Sequence, residues 1–148
     1  ILHSMHRNQR APYLKACLKR NAYFEMQRLW FRHMGKKHSP RFLATVEQSR
    51  AAIQECNITQ FASMLDDGGE IVVIDVREQH EYDAGSFEGA LHLGKGVIER
   101  DIEKHPISED ARIVLYCGGG FRSAIAAESL TRMGYSNVYS LWGGWRSL

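Results

Sequence analysis

The sequence predicts an α/β fold, a mostly parallel central sheet flanked by helices, with a helical extension at the N-terminus. Two runs, Ile71–Val76 (interrupted only by Asp75) and Ile113–Tyr116, are apolar and rich in β-branched residues, the pattern of strands buried on both faces of a parallel sheet. Segments of helical periodicity alternate with them, which is the grammar of βαβ units. The charge also changes sign along the chain. Residues 1–50 hold eleven Lys/Arg against Glu25 and Glu47, a formal +9, whereas residues 51–148 hold eight Lys/Arg against fifteen Asp/Glu, a formal −7. That break divides the 148 residues into a basic arm, 1–50, and an α/β domain, 51–148.

The elements follow in chain order. Tyr13 to Met34 carries an imperfect apolar stripe of helical spacing (Leu14, Cys17, Leu18, Met26, Leu29, Trp30, Met34), read as one long or two short helices ending at Gly35. Phe42 to Gln54 is either a second helix or a linker that becomes extended near Ile53. Asn57 with Gln60 three residues on forms a capping box for a helix over about Thr59–Leu65. Asp66-Asp67-Gly68-Gly69 is a turn into the Ile71–Val76 strand. A short polar helix over Glu78–Tyr82 leads to Gly85 and a second strand near Ala90–Leu93. After the Ile113–Tyr116 strand comes a helix over Ser123–Met133, with Ala126, Leu130 and Met133 on one face and Gly134 as its stop. Val138–Leu141 is the last strand, and Gly143-Gly144-Trp145 turns away from it.

Composition narrows the function classes. The chain is 44% apolar and 24% charged, and no apolar run approaches the roughly 18 residues needed to span a bilayer, so no membrane association is expected. The basic, interrupted N-terminal region lacks a secretory pattern; its Arg-rich, acid-poor character is similar to a mitochondrial presequence, but the cytoplasm is the expected location. Three cysteines at wide spacing, Cys17, Cys56 and Cys117, fit neither a disulfide framework nor a zinc site. No metal and no cofactor are expected. Cys17 and Cys56 read as incidental or buried thiols.

Cys117 stands apart. The Ile113–Tyr116 strand delivers it to the carboxyl end of the sheet, where ligand sites of open α/β folds lie. Gly118-Gly119-Gly120 follow, and glycine permits the backbone turns that aim successive N–H groups at one point. A helix then begins at about Arg122–Ser123, adding its positive dipole end, and Arg122 adds a guanidinium. A thiol so placed is expected to ionise readily and to act as a nucleophile without a general base. The same cradle suits a persulfide anion or the anionic end of a sulfur donor.

The run Ile74-Asp75-Val76-Arg77-Glu78-Gln79-His80-Glu81-Tyr82, then Ala84-Gly85-Ser86-Phe87-Glu88-Gly89-Ala90, resembles the corresponding stretch of single-domain rhodaneses, the thiosulfate sulfurtransferase-like family. The Cys117–Ser123 loop and the closing Leu141-Trp142-Gly143-Gly144-Trp145 match the rest of that pattern, so the resemblance covers about residues 52–148. It implies a rhodanese-like fold and an enzyme that moves sulfane sulfur from thiosulfate or another persulfide donor to a thiol or cyanide. By that resemblance Cys117 carries the persulfide, and Gly118, Gly119, Gly120, Phe121, Arg122 and Ser123 bind the substrate. Asp75 and Arg77 sit where the family has an Asp-x-Arg pair, expected here as a salt bridge supporting the loop base. Ser86, Phe87 and Glu88 depart from the family's usual His, Ile and Pro, with effects expected on packing and turn stiffness. The loop also lacks the basic residues of thiosulfate-specialised relatives, which implies modest thiosulfate turnover and a protein or small-thiol persulfide as donor or acceptor.

Alternatives come from other classes. One is a Cys-based phosphatase or arsenate reductase, whose loops are one residue longer than the four residues between Cys117 and Arg122. Another is a non-catalytic rhodanese-like module for interaction or sulfur sensing. The expected partners are a small anionic sulfur donor and a thiol acceptor, with a protein partner or a second copy reached through the basic arm. Lys15, Lys19, Arg20, Arg28, Arg32, Lys36 and Lys37 read as a solvated face that offsets the acidic domain, and nucleic acid is not an expected partner.

Overall fold

The computed structural model describes residues 38–148. The helix expected over Tyr13–Met34, its stop at Gly35, and Cys17 lie outside them. Helix α1, Pro40–Ala51, is the helical alternative for the segment after Pro40. Ser39 caps it, its Oγ accepting from the Phe42 amide, and Pro40 fills a first-turn position that needs no N–H donor. Strand β1 (Gln54–Cys56) follows at once, then α2 (Ile58–Asp66), held by the Asn57–Gln60 capping box with both bonds at 2.9 Å.

The remaining elements are β2 (Val72–Asp75), α3 (Gln79–Asp83), β3 (Leu91–His92), α4 (Ile98–Asp101), β4 (Ile113–Tyr116), α5 (Phe121–Arg132) and β5 (Val138–Leu141). Short 3₁₀ turns extend α4 over Ile102–Lys104 and follow β5 over Gly144–Ser147. The strands form one fully parallel sheet in the order β1-β5-β4-β2-β3.

Central β4 shows why its sequence is apolar without alternation. Ile113 and Leu115 face a core shared with α4 and α5 (Ile98, Ile102, Ala126, Ala127, Leu130), while Val114 and Tyr116 face a second core with α2 (Ile58, Phe61, Ala62). Each fully buried Ile, Leu or Val of these layers stabilises the fold by about 1.5–3 kcal/mol. Phe87 packs edge-on against Phe61 at 5.4 Å between ring centroids, so the departure at this position fills the second core.

One expectation needs correction, and one segment was not anticipated. Met133 is the exposed C-cap of α5 and not part of its buried stripe; the chain turns at Gly134 (φ +105°), and Tyr135 enters the core instead. The segment Ile98–Lys104, unassigned by pattern, is helical because Ile98 and Ile102, one turn apart, anchor both its pieces in the core. Helix α1 packs on α5 through buried Val46 and Ser49, and Ser49 Oγ donates to Glu128 Oε2 at 2.6 Å.

Strand order places a crevice. From β2 the chain moves outward to β3, and from β4 it moves the other way to β5, so the loops after β2 and β4 part company. The carboxyl ends of these neighbouring strands form the switch point at which open α/β sheets hold ligands.

Candidate active site

Strand β4 ends at Tyr116, and the next residue, Cys117, is only 1% exposed. Its sulfur receives the Gly120 amide at 3.1 Å and the Ser123 hydroxyl at 3.6 Å. Gly120 is the N-cap of α5 with φ +91°, and a Cβ there would press within 3.1 Å of Gly143 N and Leu141 O, so both backbone and space require glycine. Ser123 Oγ is fixed from behind by the buried Ser140 hydroxyl of β5, 2.8 Å away. The sulfur therefore lies against a helix start and two polar donors, an environment suited to an anion.

The outer side of the loop is held by the turn after β5. Trp145 N donates to Cys117 O at 2.6 Å, and Arg146 N donates to Gly118 O at 3.2 Å. In a trans peptide the C=O and N–H point in opposite directions, so tying these two carbonyls down turns the Gly118 and Gly119 amides away from the turn. Gly144 (φ +53°) makes the approach possible, since a Cβ there would collide with the Cys117 carbonyl.

Arg122 reaches across to α3, donating to Glu81 through both terminal nitrogens at 2.7 and 2.9 Å, with Glu78 3.8 Å away. The hydrogen bonds from Arg122 hold the Glu81 carboxyl down to about 2, and the same bonds push the guanidinium up from its usual range. Arg122 thus brings the expected guanidinium, but paired with a carboxylate. Its Nη2 stands close to the loop, 3.3 Å from where a Gly118 Cβ would be.

Asp75 and Arg77, expected as a salt bridge, are paired at the end of β2. Both are buried, Arg77 Nη2 meets Asp75 Oδ2 at 2.7 Å, and the same nitrogen donates to Gly85 O at 2.7 Å. The Arg77 guanidinium lies 4.7 Å over the Trp145 ring and 5.5 Å over that of Tyr116. Burial and a hydrogen bond to Asp75 push the Tyr116 hydroxyl above its ordinary range, so it stays protonated while accepting from the Phe87 amide at 3.0 Å. The pair thereby ties the turn that clamps Cys117 to the end of β2.

Helix α1 supplies a wall that the sequence did not reveal. The Phe121 ring lies 4.7 Å from His38, and Arg50 sits 5.2 Å over Phe121 and 4.3 Å over Trp142. Glu81, Ser140 and Arg50 are the site residues that sequence reasoning missed; only Glu81 had a signal, lying within the family-like run. Cys56, by contrast, is enclosed in the second core, where burial pushes its thiol up to about 12, consistent with an inert side chain. No helix among the described residues is long and apolar enough to cross a membrane.

Comparison with known proteins gives this geometry a context. The model of the rhodanese-like domain family matches residues 57–148. A mitochondrial protein of Schizosaccharomyces pombe, provisionally named a thiosulfate sulfurtransferase, is 35% identical over 86 residues, covering 50% of this chain and 60% of its own. A tRNA uridine(34) hydroxylase of Erwinia tasmaniensis is 35% identical over 86 residues, covering 55% of this chain but 24% of its own. The chain therefore spans only part of the length of these relatives. The fold is that of a human single domain sulfurtransferase, at a TM-score of 0.58 and 22% identity over 63% of this chain and 92% of the other.

Proposed function

The chain belongs to the rhodanese-like domain family, and on that premise we propose that it is a sulfurtransferase working through a Cys117 persulfide. The observation that carries the reading is the Cys117 sulfur seated at the head of the glycine loop, with the Gly120 amide at 3.1 Å and Ser123 behind it. In the first half-reaction the Cys117 thiolate attacks the outer sulfur of the donor. The donor S–S bond breaks, and its electron pair leaves on sulfite when the donor is thiosulfate, or on a thiolate when it is a persulfide. In the second, a thiol or cyanide attacks the outer sulfur of Cys117–S–S⁻, and the Cys117 thiolate is released. No oxidant or cofactor is consumed.

The residues divide the work. Gly118, Gly119, Phe121 and Arg122 offer backbone N–H groups to the transferred sulfur, and the Gly120 amide with Ser123 steadies the inner one. Asp75 and Arg77 support the loop through Trp145. The four-residue gap between Cys117 and Arg122 makes a cradle suited to sulfur and too tight for a phosphate monoester. A reducing cytoplasmic setting suits the thiol chemistry. Residues 1–37, with nine Lys/Arg against Glu25, are proposed to engage an acidic partner surface or a second copy, since opposite charges attract most at low salt.

Intact-mass measurement of the protein incubated with thiosulfate or with a small persulfide tests the reading. One sulfur is expected on the wild type and on Cys56→Ala, and none on Cys117→Ser. Sulfur retained stably by Cys117→Ser overturns it.

A further inference from the structure

Three arginines around this site are paired with carboxylates. Arg77 is bound by Asp75, with both side chains buried. Arg50, stacked over Phe121 and Trp142, is bound by Glu47 at 2.9 Å and Glu55 at 3.2 Å. Arg122 is held by both oxygens of Glu81, with Glu78 beyond. The three residues after Cys117 are glycines. The loop therefore offers amide dipoles, and each of these neighbouring guanidinium charges is offset by a carboxylate.

Arg122 is the side chain best placed to receive an anionic donor, because its Nη2 stands beside Gly118. Both its terminal nitrogens are nevertheless engaged by Glu81. The second Glu81 contact is structural: its Oε2 also accepts from the Glu78 amide at 3.0 Å, in the first turn of α3. The carboxylate is thus fixed to a helix end and cannot readily swing off to release the arginine.

Resting on the sulfur-transfer reading, we propose that Glu81 is a specificity-determining residue that neutralises Arg122 and so fits the cleft to a thiol persulfide, in preference to the thiosulfate dianion. Thiosulfate presents a sulfonate that needs a counter-charge on entry and leaves as a sulfite dianion. A thiol persulfide carries at most one charge on its sulfur chain and leaves as a thiolate. Backbone amides suffice for the second and undercompensate the first. In the persulfide step the Cys117 thiolate bonds to the outer sulfur of R–S–SH, the S–S bond breaks, R–S⁻ departs with the electron pair, and the proton remains on the new Cys117 persulfide.

The experiment compares kcat/KM for two donors on the full chain: thiosulfate, and the persulfide of N-acetylcysteine methyl ester, which is uncharged outside its sulfur chain. Glu81→Gln keeps the side-chain shape and removes the charge. The thiosulfate-to-persulfide ratio is expected to rise about tenfold, mainly through a lower thiosulfate KM. Glu81→Asp should keep the ratio low, and Glu78→Gln, whose contact is longer and more exposed, should raise it less. Glu78→Gln also serves as the graded test should Glu81→Gln fold poorly. An unchanged ratio in both Gln variants, or a wild type that prefers thiosulfate, overturns the assignment of Glu81. A wild type that loads sulfur on Cys117 from neither donor overturns the sulfur-transfer reading, and this inference with it.

Discussion

The Ser140 hydroxyl lies 2.8 Å from that of Ser123, and both side chains are fully buried near Cys117. With Ser140 donating to it, Ser123 is free to donate its own proton to the Cys117 sulfur at 3.6 Å. The two serines come from α5 and β5, so the orientation of one hydroxyl is set by a neighbouring strand.

Ser123→Ala and Ser140→Ala should each slow alkylation of Cys117 by iodoacetamide about fivefold, the worth of a hydrogen bond of about 1 kcal/mol. Because they act in series, the double variant should be little slower than either single one. A double-mutant cycle on the alkylation rate checks this, and additive losses would mean that Ser140 does not act through Ser123.

Asp75→Asn leaves the buried Arg77 charge without its carboxylate. Urea unfolding should show a loss of about 3 kcal/mol. Sulfur loading of the still-folded fraction should remain within a few-fold of wild type. A large loss of loading with unchanged stability would give the pair a direct part in the chemistry.

Gly144→Ala and Gly134→Ala form a matched pair. Both positions have positive φ, but a Cβ at Gly134 meets open space whereas one at Gly144 strikes the Cys117 carbonyl. Gly134→Ala should cost about 1 kcal/mol, and Gly144→Ala more than about 2 kcal/mol together with sulfur transfer. Thermal melts and single-turnover loading check both.

Glu81 gives a pH signature. Its carboxyl is held down from an ordinary 4.5 to about 2 by hydrogen bonds from Arg122. A group depressed on folding stabilises the protein above its unfolded value, and that contribution is lost as pH falls toward the folded one. The stability advantage of wild type over Glu81→Gln should be constant from pH 7 to about 5 and shrink between about 4.5 and 2. Urea titrations at several pH values measure it, and an advantage that grows with acid would reverse the sign.

Removal of residues 1–37 should leave sulfur loading within a few-fold, whereas removal of 1–51 also takes away buried Val46 and Ser49 and should cost more than about 2 kcal/mol. Sedimentation of the full chain against the shorter deletion checks the arm. A smaller species after deletion supports docking between copies through residues 1–37.

Much of this architecture was legible because its signals are local. The apolar run Ile113–Tyr116 is β4 to the residue, and Asn57 with Gln60 makes the expected capping box. Cys117 and its glycines could be read as a cradle because one strand, one turn and one helix start build it contiguously. What stayed hidden depends on contacts distant in sequence. Nothing around Ser140 announces a neighbour on α5, and nothing in Pro40–Ala51 indicates that Arg50 will stack on Phe121. The short strand Gln54–Cys56 is polar at its first two positions and is recognisable only through its pairing with β5. The capture of Arg122 by Glu81 likewise requires knowing that α3 and α5 begin side by side.

The backbone clasp from Trp145 and Arg146 onto Cys117 and Gly118 also sets an order of events in biosynthesis. A ribosome releases the chain from its N-terminus, so the cysteine emerges well before the residues that shape its loop. Until residue 146 has cleared the exit tunnel, the thiol belongs to an unclasped glycine segment with no fixed array of amides. The loop is thereby completed late, by the arrival of two peptide groups.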